Sequence, residues 1–293
     1  MGSKNCKVHF AGYDNDNRAL LTLKAVGVNY RLFTCYPFIK GKTSDQDMTV
    51  PNLLESKVPF NHTILDSGLF TLMFGAQAGK ALTESDIREW MHRIVRFVKD
   101  NRLNASVVEC DCQKIISPDF AWELRREMRE LLPKHEVINV FHLEDGEDGF
   151  RRMVDFADYI AISVPELRIH RGKTYKQATT ALVKAAKKQK PEIKIHLLGC
   201  TEKDLLTANK RVTSADSSSW TASVRFGYLN KRHISDIKTE AALSAFDAID
   251  RVSAAYNIPL GEKTEKTKRY MAANYYTALK CKQDYTNWCG PQD

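Results

Sequence analysis

Short apolar runs alternate along this chain with longer segments in which apolar residues recur at the spacing of a helix. The short runs predict eight strands, at residues 7–13, 30–36, 62–66, 105–112, 137–142, 159–164, 193–199 and 212–216. The intervening segments predict helices, among them one that opens with the capping pair Thr83 and Asp86 and carries apolar residues on one face. Eight strands that alternate with helices predict an α/β fold, a (β/α)8 barrel of the TIM type.

Two segments lie outside this alternation. Residues 37–61 form a long irregular stretch, and we interpret it as a lid or wedge because loops of that length inside a compact domain are usually functional. Residues 228–293 follow a barrel at about 7–227 and are predicted to be a helical extension, so that 1–293 forms a single domain. Basic and aromatic residues alternate in the last part of this extension. They suit either stacking on nucleotides or a helix packed on the barrel, and the packed helix is the preferred interpretation.

Charged side chains stand at the carboxyl ends of several predicted strands, where barrels of this type carry their catalytic residues. They are Asp66, Glu109, Asp111, His142, Asp145 and Asp216. Each acid alone could simply cap a helix or a turn, but together they predict one acidic site, with Glu109 and Asp111 on the same side of their strand. A pair of carboxylates, one a nucleophile and the other an acid/base group, suits the breaking of a glycosidic bond with retention.

The net charge is the feature of the composition that bears most on function. The chain has 44 lysines and arginines against 36 aspartates and glutamates, a formal net charge of +8, which favours a polyanionic partner because basic side chains neutralise phosphates. No apolar run reaches the length of a membrane span and no signal peptide is evident, so we expect a cytoplasmic protein with no membrane partner. The seven cysteines lack the spacing of zinc ligands, so reduced thiols are expected and no metal is predicted.

Three short motifs resemble a known family. Residues 66–70, Asp-Ser-Gly-Leu-Phe, resemble the Asp-Ser-Gly-Gly-aromatic motif of the tRNA-guanine transglycosylase superfamily. Residues 196–201 and 214–220 are similar to the last two strands of that family, and the Asp-Ser-Ser-Ser-Trp form of the latter is closest to its bacteriophage and bacterial DNA-acting branch, the DpdA-like 7-deazaguanine DNA transglycosylases. The chain has Ser163-Val164 where the family usually has Gly-Gly. It also lacks the zinc-binding cysteines of the tRNA enzymes, which favours DNA over tRNA.

The resemblance implies that guanine in DNA is exchanged for a 7-deazaguanine base such as preQ0, without a cofactor. Asp216 would match the nucleophile that attacks C1′, Asp66 the acid/base group and Phe70 the aromatic that stacks on the base. Either Glu109 or Asp111 would read the edge of the base. The further candidates for substrate binding are Ser67, His142, Asp145, Ser163 and Gly199, and those for contacts with nucleic acid are Arg225, Lys40 and Lys42. An enzyme acting on duplex DNA would need to flip its target nucleotide out of the stack.

Other functions remain open at this point. The chain could be a tRNA-guanine transglycosylase or a hydrolase of a nucleoside linkage, since both reactions use the same pair of carboxylates. It could also be a catalytically silent barrel that binds nucleic acid through its positive charge. The host cytoplasm would be its location if a phage encodes it, and the sequence leaves the oligomeric state open.

Overall fold

A closed barrel of eight parallel strands forms the centre of the protein, in a computed structural model that describes residues 6–14, 16–51, 53–74 and 81–292. Each strand pairs with the next in the sequence, and the first pairs with the eighth. The strands are β1 (Lys7–Ala11), β2 (Tyr30–Thr34), β3 (His62–Asp66), β4 (Ser106–Val108), β5 (Val137–Phe141), β6 (Tyr159–Ser163), β7 (Lys194–Leu198) and β8 (Ser214–Ser217). The prediction of a (β/α)8 barrel is therefore confirmed.

Helices follow the strands and cover the outside of the barrel. They are α1 (Asn17–Ala25), α2 (Tyr36–Ile39), α3 (Leu54–Lys57), α4 (Leu69–Phe74), α5 (Glu84–Asp100), α6 (Pro118–Leu131), α7 (Gly146–Phe156), α8 (Val164–Arg171), α9 (Tyr175–Gln189), α10 (Lys203–Ala208), α11 (Ala222–Phe226), α12 (Thr239–Tyr256) and α13 (Glu265–Cys289). A short hairpin, β9 (Tyr228–Leu229) and β10 (Arg232–His233), lies between α11 and α12. Among the helices of these described ranges, none is both long enough and apolar enough to cross a membrane.

The helix α5 illustrates how the local sequence sets an element. Thr83 accepts a hydrogen bond from the Asp86 N–H, and the Asp86 carboxylate accepts one from the Thr83 N–H, so the predicted capping box is present. The predicted apolar face of α5 is buried from Ile87 to Val98 and packs in the core between the helices and the strands. Burial of this face, rather than helix propensity alone, holds α5 against the barrel.

The strand β4 is shorter than the sequence pattern predicts. The Glu109 N–H still bonds to the carbonyl of Ile138 at 3.1 Å, but the Cys112 N–H turns back to the carbonyl of Cys110 at 3.0 Å. The chain therefore leaves the sheet after Val108, and the two-residue alternation of a strand does not extend to Glu109 and Asp111. The expectation that these two acids face the same side is wrong for this reason.

Three histidines meet inside the barrel among apolar side chains. His9 lies 2.8 Å from His62, nitrogen to nitrogen, and the ring of His9 contacts the ring of His196 edge-on with centroids 6.1 Å apart. Burial lowers the pKa of His9 well below its ordinary value, so the imidazole is neutral at physiological pH. A neutral His9 that shares a hydrogen bond with His62 occupies the core at lower cost than a charged one.

The C-terminal extension packs on the barrel as helices α12 and α13. Tyr285 is buried, and its hydroxyl donates a hydrogen bond to Ser217 Oγ in β8 at 2.8 Å. The Gln292 side chain bonds to the N–H of Val8 and to the carbonyl of Cys6, which ties the end of the chain to β1. The packed helix is therefore the correct interpretation of most of the basic and aromatic tail.

Candidate active site

The turn after β3 places Asp66 at the carboxyl end of the barrel. The Gly68 N–H donates a hydrogen bond to Asp66 Oδ2 at 3.1 Å, and Gly68 has a φ of +67°. A Cβ atom on Gly68 would come within 2.6 Å of Thr34 Oγ1 and 2.8 Å of the Cβ of Tyr36. The glycine of the Asp-Ser-Gly motif is therefore required by the left-handed turn that orients the carboxyl of Asp66.

The carboxyl groups of Asp66, Asp111 and Asp216 lie at or just after the ends of three different strands at the mouth of the barrel and interact electrostatically. Burial, followed by repulsion from the charges of Asp111 and Asp216, raises the pKa of Asp66 from 3.8 to about 7. This repulsion requires that the three groups lie close in space although they are remote in the sequence. A carboxyl group with this pKa is about half protonated near pH 7, which suits a residue that both donates and accepts a proton.

Asp216 lies within β8 and is held by two hydrogen-bond donors. Its Oδ1 accepts from the Gly199 N–H at 2.6 Å and lies 3.2 Å from His196 Nε2. The other ring nitrogen of His196 is 2.5 Å from Ser214 Oγ, which in turn is 2.5 Å from the hydroxyl of Tyr159. This chain of partners fixes the orientation of Asp216 and, because His196 is fully buried, shields one side of the carboxylate from water.

Asp111 belongs to a second charged network at the mouth. His142 lies between two acids, with Nε2 2.9 Å from Asp111 Oδ2 and Nδ1 2.7 Å from Glu166 Oε2. Burial by itself lowers the pKa of His142, but the hydrogen bonds to Asp111 and Glu166 outweigh it and raise the pKa to about 10. The pKa of Glu166 falls to about 2, because the hydrogen bonds from His142 and Lys114 exceed the opposite effect of its burial. The imidazolium ion therefore orients Asp111 at neutral pH.

We expect this charged histidine to make stability depend on pH above neutrality. The pKa of His142 is about 10 in the folded protein and about 6.5 in the unfolded chain, so the folded state holds this proton more tightly. The resulting stabilisation is complete below pH 6.5 and is lost as the pH rises through 10. Chemical unfolding of wild type and His142→Gln between pH 6 and 10 should show a steeper loss of unfolding free energy in wild type. The exposed His170→Gln is the control, and equal slopes in wild type and His142→Gln would contradict the assignment.

Two of the predicted substrate-binding acids instead serve the structure. Glu109 is 2% exposed, and both of its carboxylate oxygens contact Arg125 Nε, at 2.9 and 3.0 Å. Asp145 accepts from Arg125 at 3.4 Å and from the His142 N–H at 3.1 Å, with its side chain fully buried. Arg125 comes from α6, so these acids fix that helix to the loops after β4 and β5. Between Glu109 and Asp111, it is Asp111 that faces the mouth.

Ser67, Phe70 and Ser163 flank the carboxyl groups in different ways. Ser67 is buried, its Oγ accepts from the Leu69 N–H at 3.3 Å, and its carbonyl accepts from the Trp90 indole at 2.9 Å, so it supports the turn after Asp66. The side chain of Phe70 is 73% exposed on α4, directly after that turn. Ser163 ends β6 and caps α8 through a weak hydrogen bond of 3.4 Å from the backbone of Glu166.

The three predicted phosphate contacts lie on the surface near the same end of the barrel. Arg225 is exposed on α11 and donates to Thr221 Oγ1 at 3.2 Å. Lys40 is exposed beyond α2 with its ammonium 5.7 Å from the centre of the Tyr36 ring, and Lys42 donates to the carbonyl of Asp47 at 2.9 Å. None of these contacts neutralises the charge of the cation.

Sequence reasoning missed several residues at the mouth. Asp14 follows β1, forms an ion pair with the buried Arg31 at 3.2 Å, and adds to the repulsion that raises the pKa of Asp66. Its position after a strand was a usable signal, the same one that identified Asp66. Glu166 follows the apolar strand β6 at the same spacing and carried the same signal, whereas Lys114, 2.9 Å from its carboxylate, lies six residues beyond β4 and carried none.

One group among the described residues has donor atoms close enough for a metal ion: His142, Glu144 and Glu166, whose donors lie within 4.8 Å of one another. Lys114 contacts the Glu166 carboxylate at 2.9 Å, and both nitrogens of His142 already bond to carboxylates. An ammonium and an imidazolium therefore supply the positive charge that a metal would bring. The donor set fits an ion-pair network better than a metal centre.

Comparison of the chain with models of protein families and with curated proteins finds no match. The assignment of a function therefore depends on the chemistry of the site. That site combines a carboxyl group of raised pKa, a second carboxylate held rigidly by backbone and imidazole, and a third paired with an imidazolium.

Proposed function

We propose that the protein is a base-exchange glycosyltransferase that replaces guanine in DNA with a 7-deazaguanine base. The observation that carries this proposal is the pairing of Asp66, with a pKa of about 7, and Asp216, held by Gly199 and His196, at the carboxyl ends of two strands of one barrel. Such a pair divides naturally into an acid/base group and a nucleophile. The resemblance of residues 66–70 and 214–220 to the transglycosylase motifs assigns the same roles.

In the first half of the proposed reaction, a carboxylate oxygen of Asp216 forms a bond to C1′ of the target deoxyguanosine while the bond from C1′ to N9 breaks. The electron pair of the broken bond stays on guanine, and the protonated carboxyl of Asp66 gives its proton to the departing base. The product is free guanine and an ester between Asp216 and the DNA. The hydrogen bonds to Oδ1 of Asp216 hold the nucleophile in place for this attack.

In the second half, the incoming deazaguanine gives its N9 proton to the carboxylate of Asp66 and attacks C1′ through N9. The ester bond breaks and its electron pair returns to Asp216, so both carboxyl groups regain their starting states. Protons and electrons balance without a cofactor. Both halves require Asp66 to change its protonation state, which is most efficient when its pKa lies near the working pH.

Asp111 and Phe70 are suited to bind the base. Asp111 is oriented by His142, and its side chain is 26% exposed at the mouth, so a carboxylate oxygen can accept from the N–H edge of a guanine-type base. Phe70 presents an exposed ring on α4, after the turn that follows Asp66, and a base can stack on such a ring. The formal net charge of +8 favours DNA as the polyanionic partner.

Nucleoside analysis by mass spectrometry tests the proposal. The protein is incubated with guanine-containing single-stranded DNA and preQ0, and the DNA is then digested to nucleosides. We expect one deazaguanine nucleoside for each guanine released. Guanine release without incorporation would instead indicate a hydrolase. Salt-dependent binding without either product would indicate a silent nucleic-acid-binding barrel, and incorporation into tRNA but not into DNA would reassign the substrate.

A further inference from the structure

We propose that a cavity between α1 and α13 binds a nucleotide that flanks the target nucleotide in the DNA strand. The cavity, here called the flanking site, has a volume of about 350 Å³ and is lined by residues that include Tyr13, Arg18, Lys266 and Tyr270. This assignment rests on the proposed function. It adds a binding site, outside the carboxyl groups, for the neighbouring part of the substrate.

The flanking site adjoins the mouth of the barrel. Tyr13 follows β1, and its ring packs edge-on against Trp220, with ring centroids 5.6 Å apart. Trp220 lies in the turn that follows Asp216 at the end of β8. The residue after Tyr13 is Asp14, whose charge contributes to the raised pKa of Asp66. A strand whose target sugar meets Asp216 therefore has its neighbouring nucleotides within reach of Tyr13.

The side chains of the site match the two parts of a nucleotide. Both Tyr13 and Tyr270 line the cavity, and Tyr270 is 37% exposed, so its ring is available for stacking on a base. Lys266 has its ammonium 5.9 Å from the centre of the Tyr270 ring and forms no ion pair with a carboxylate in the described ranges. Arg18 pairs with Asp16 at 3.4 Å and remains 43% exposed. A phosphate beside the stacked base would meet Lys266 first.

Arg225, a phosphate contact predicted from the sequence, lies close to this site. Burial raises the pKa of the Tyr13 hydroxyl, and the nearby Arg225 guanidinium partly offsets this increase. The neighbouring Val224 lines the cavity. The next aromatic residues along the chain, Phe226 and Tyr228, are 69% and 57% exposed. A cation and exposed rings therefore continue from the cavity along α11 and into β9, as expected of a groove that follows a single strand.

The backbone at Tyr13 adds a second argument. Gly12 has a φ of +99° and Tyr13 a φ of +56°, which places a large side chain in the left-handed region. This conformation is unfavourable for a residue with a Cβ atom and is retained where the surroundings enforce it, often at functional sites. Here it turns the ring of Tyr13 onto Trp220 and into the wall of the cavity.

A different basic surface serves as the control. Lys188 is an exposed lysine near the end of α9, lines another cavity, and forms no ion pair in the described ranges. It matches Lys266 in charge and exposure, but it comes from the end of α9 that leads into β7. That position is at the amino end of the strands, remote from the mouth, so the flanking site predicts no role for Lys188.

The test uses the full chain with a single-stranded oligodeoxynucleotide that contains one guanine. The fluorescent base 2-aminopurine is placed at successive positions around that guanine. We expect wild type to quench its fluorescence at one or two positions on one side, by stacking on tyrosine. Tyr270→Ala should remove this quenching and weaken binding about tenfold, whereas Tyr270→Phe should retain both.

Salt dependence separates the phosphate contact from stacking. The logarithm of the association constant falls as the logarithm of the salt concentration rises. Lys266→Ala should make this slope less steep by about 0.7, the value for one phosphate of a single strand. Lys188→Ala should leave the slope at its wild-type value. If Tyr270→Ala and Lys266→Ala quench and bind as wild type does, and base exchange is also normal, the assignment of the flanking site is wrong and the proposed function stands. If quenching depends on Tyr270 but the wild-type protein performs no base exchange, the cavity binds a nucleotide and the proposed function is wrong.

Discussion

Asp216→Asn should abolish the covalent adduct between protein and DNA and lower base exchange by roughly 10⁴-fold or more, the order expected when a nucleophile is removed. The amide cannot form the ester to C1′. Its oxygen can still accept from the Gly199 N–H, as Oδ1 of the aspartate does at 2.6 Å, so the variant should fold normally. The measurement is a mobility shift of labelled DNA in denaturing electrophoresis, with base exchange followed by nucleoside mass spectrometry.

Two observations control this experiment. Asp155→Asn changes an exposed carboxylate that bonds to Gln189 at 2.7 Å on the outside of the barrel, and its adduct should equal that of wild type. The thermal unfolding of both variants checks that the fold is intact. If Asp216→Asn still forms an adduct at the wild-type rate, Asp216 is not the nucleophile.

Asp66→Asn should reduce base exchange by 10²- to 10⁴-fold, roughly the range for loss of a general acid/base group. In wild type, release of guanine needs a protonated Asp66, so its rate should fall as the pH rises through about 7. The residual activity of Asp66→Asn should lack this inflection, because an amide does not titrate in this range. Single-turnover release of guanine between pH 5 and 9 measures both effects.

Asp111→Asn provides the matched comparison. The charge of Asp111 raises the pKa of Asp66, so its removal should move the inflection in guanine release to lower pH. An inflection that stays near pH 7 in Asp66→Asn would assign the titration to another group. An inflection that does not move in Asp111→Asn would show that the two carboxyl groups do not interact as their positions require.

The same pKa predicts a trade-off between stability and function. The folded protein holds a proton on Asp66 up to about pH 7, whereas the unfolded chain loses it near 3.8. Between these values the folded state binds more protons, so the free energy of unfolding decreases as the pH rises through this window. Asp66→Asn should therefore be more stable than wild type at pH 8. Burial of a carboxyl group among like charges destabilises the fold and, in the proposed reaction, tunes the acid/base group.

The sequence by itself determined the architecture and placed Asp66 and Asp216 in one candidate site. Apolar runs of strand length, separated by amphipathic segments, encode which residues are buried, and in a protein of this size that pattern has few solutions other than a barrel. Because parallel strands of a barrel end on the same face, Asp66 and Asp216 could be assigned to one site without coordinates. Local hydrogen bonds, such as the capping box at Thr83, also depend only on neighbouring residues.

Only the tertiary structure decided which charged groups serve the site and which serve the fold. Glu109 and Asp111 are two residues apart, yet one binds the buried Arg125 of α6 and the other binds His142 after β5. A sequence pattern records burial and periodicity, but not where a chain leaves the sheet or which distant cation lies within 3 Å. The pKa of Asp66 has the same origin, since it depends on burial and on charges brought near by the closure of the barrel.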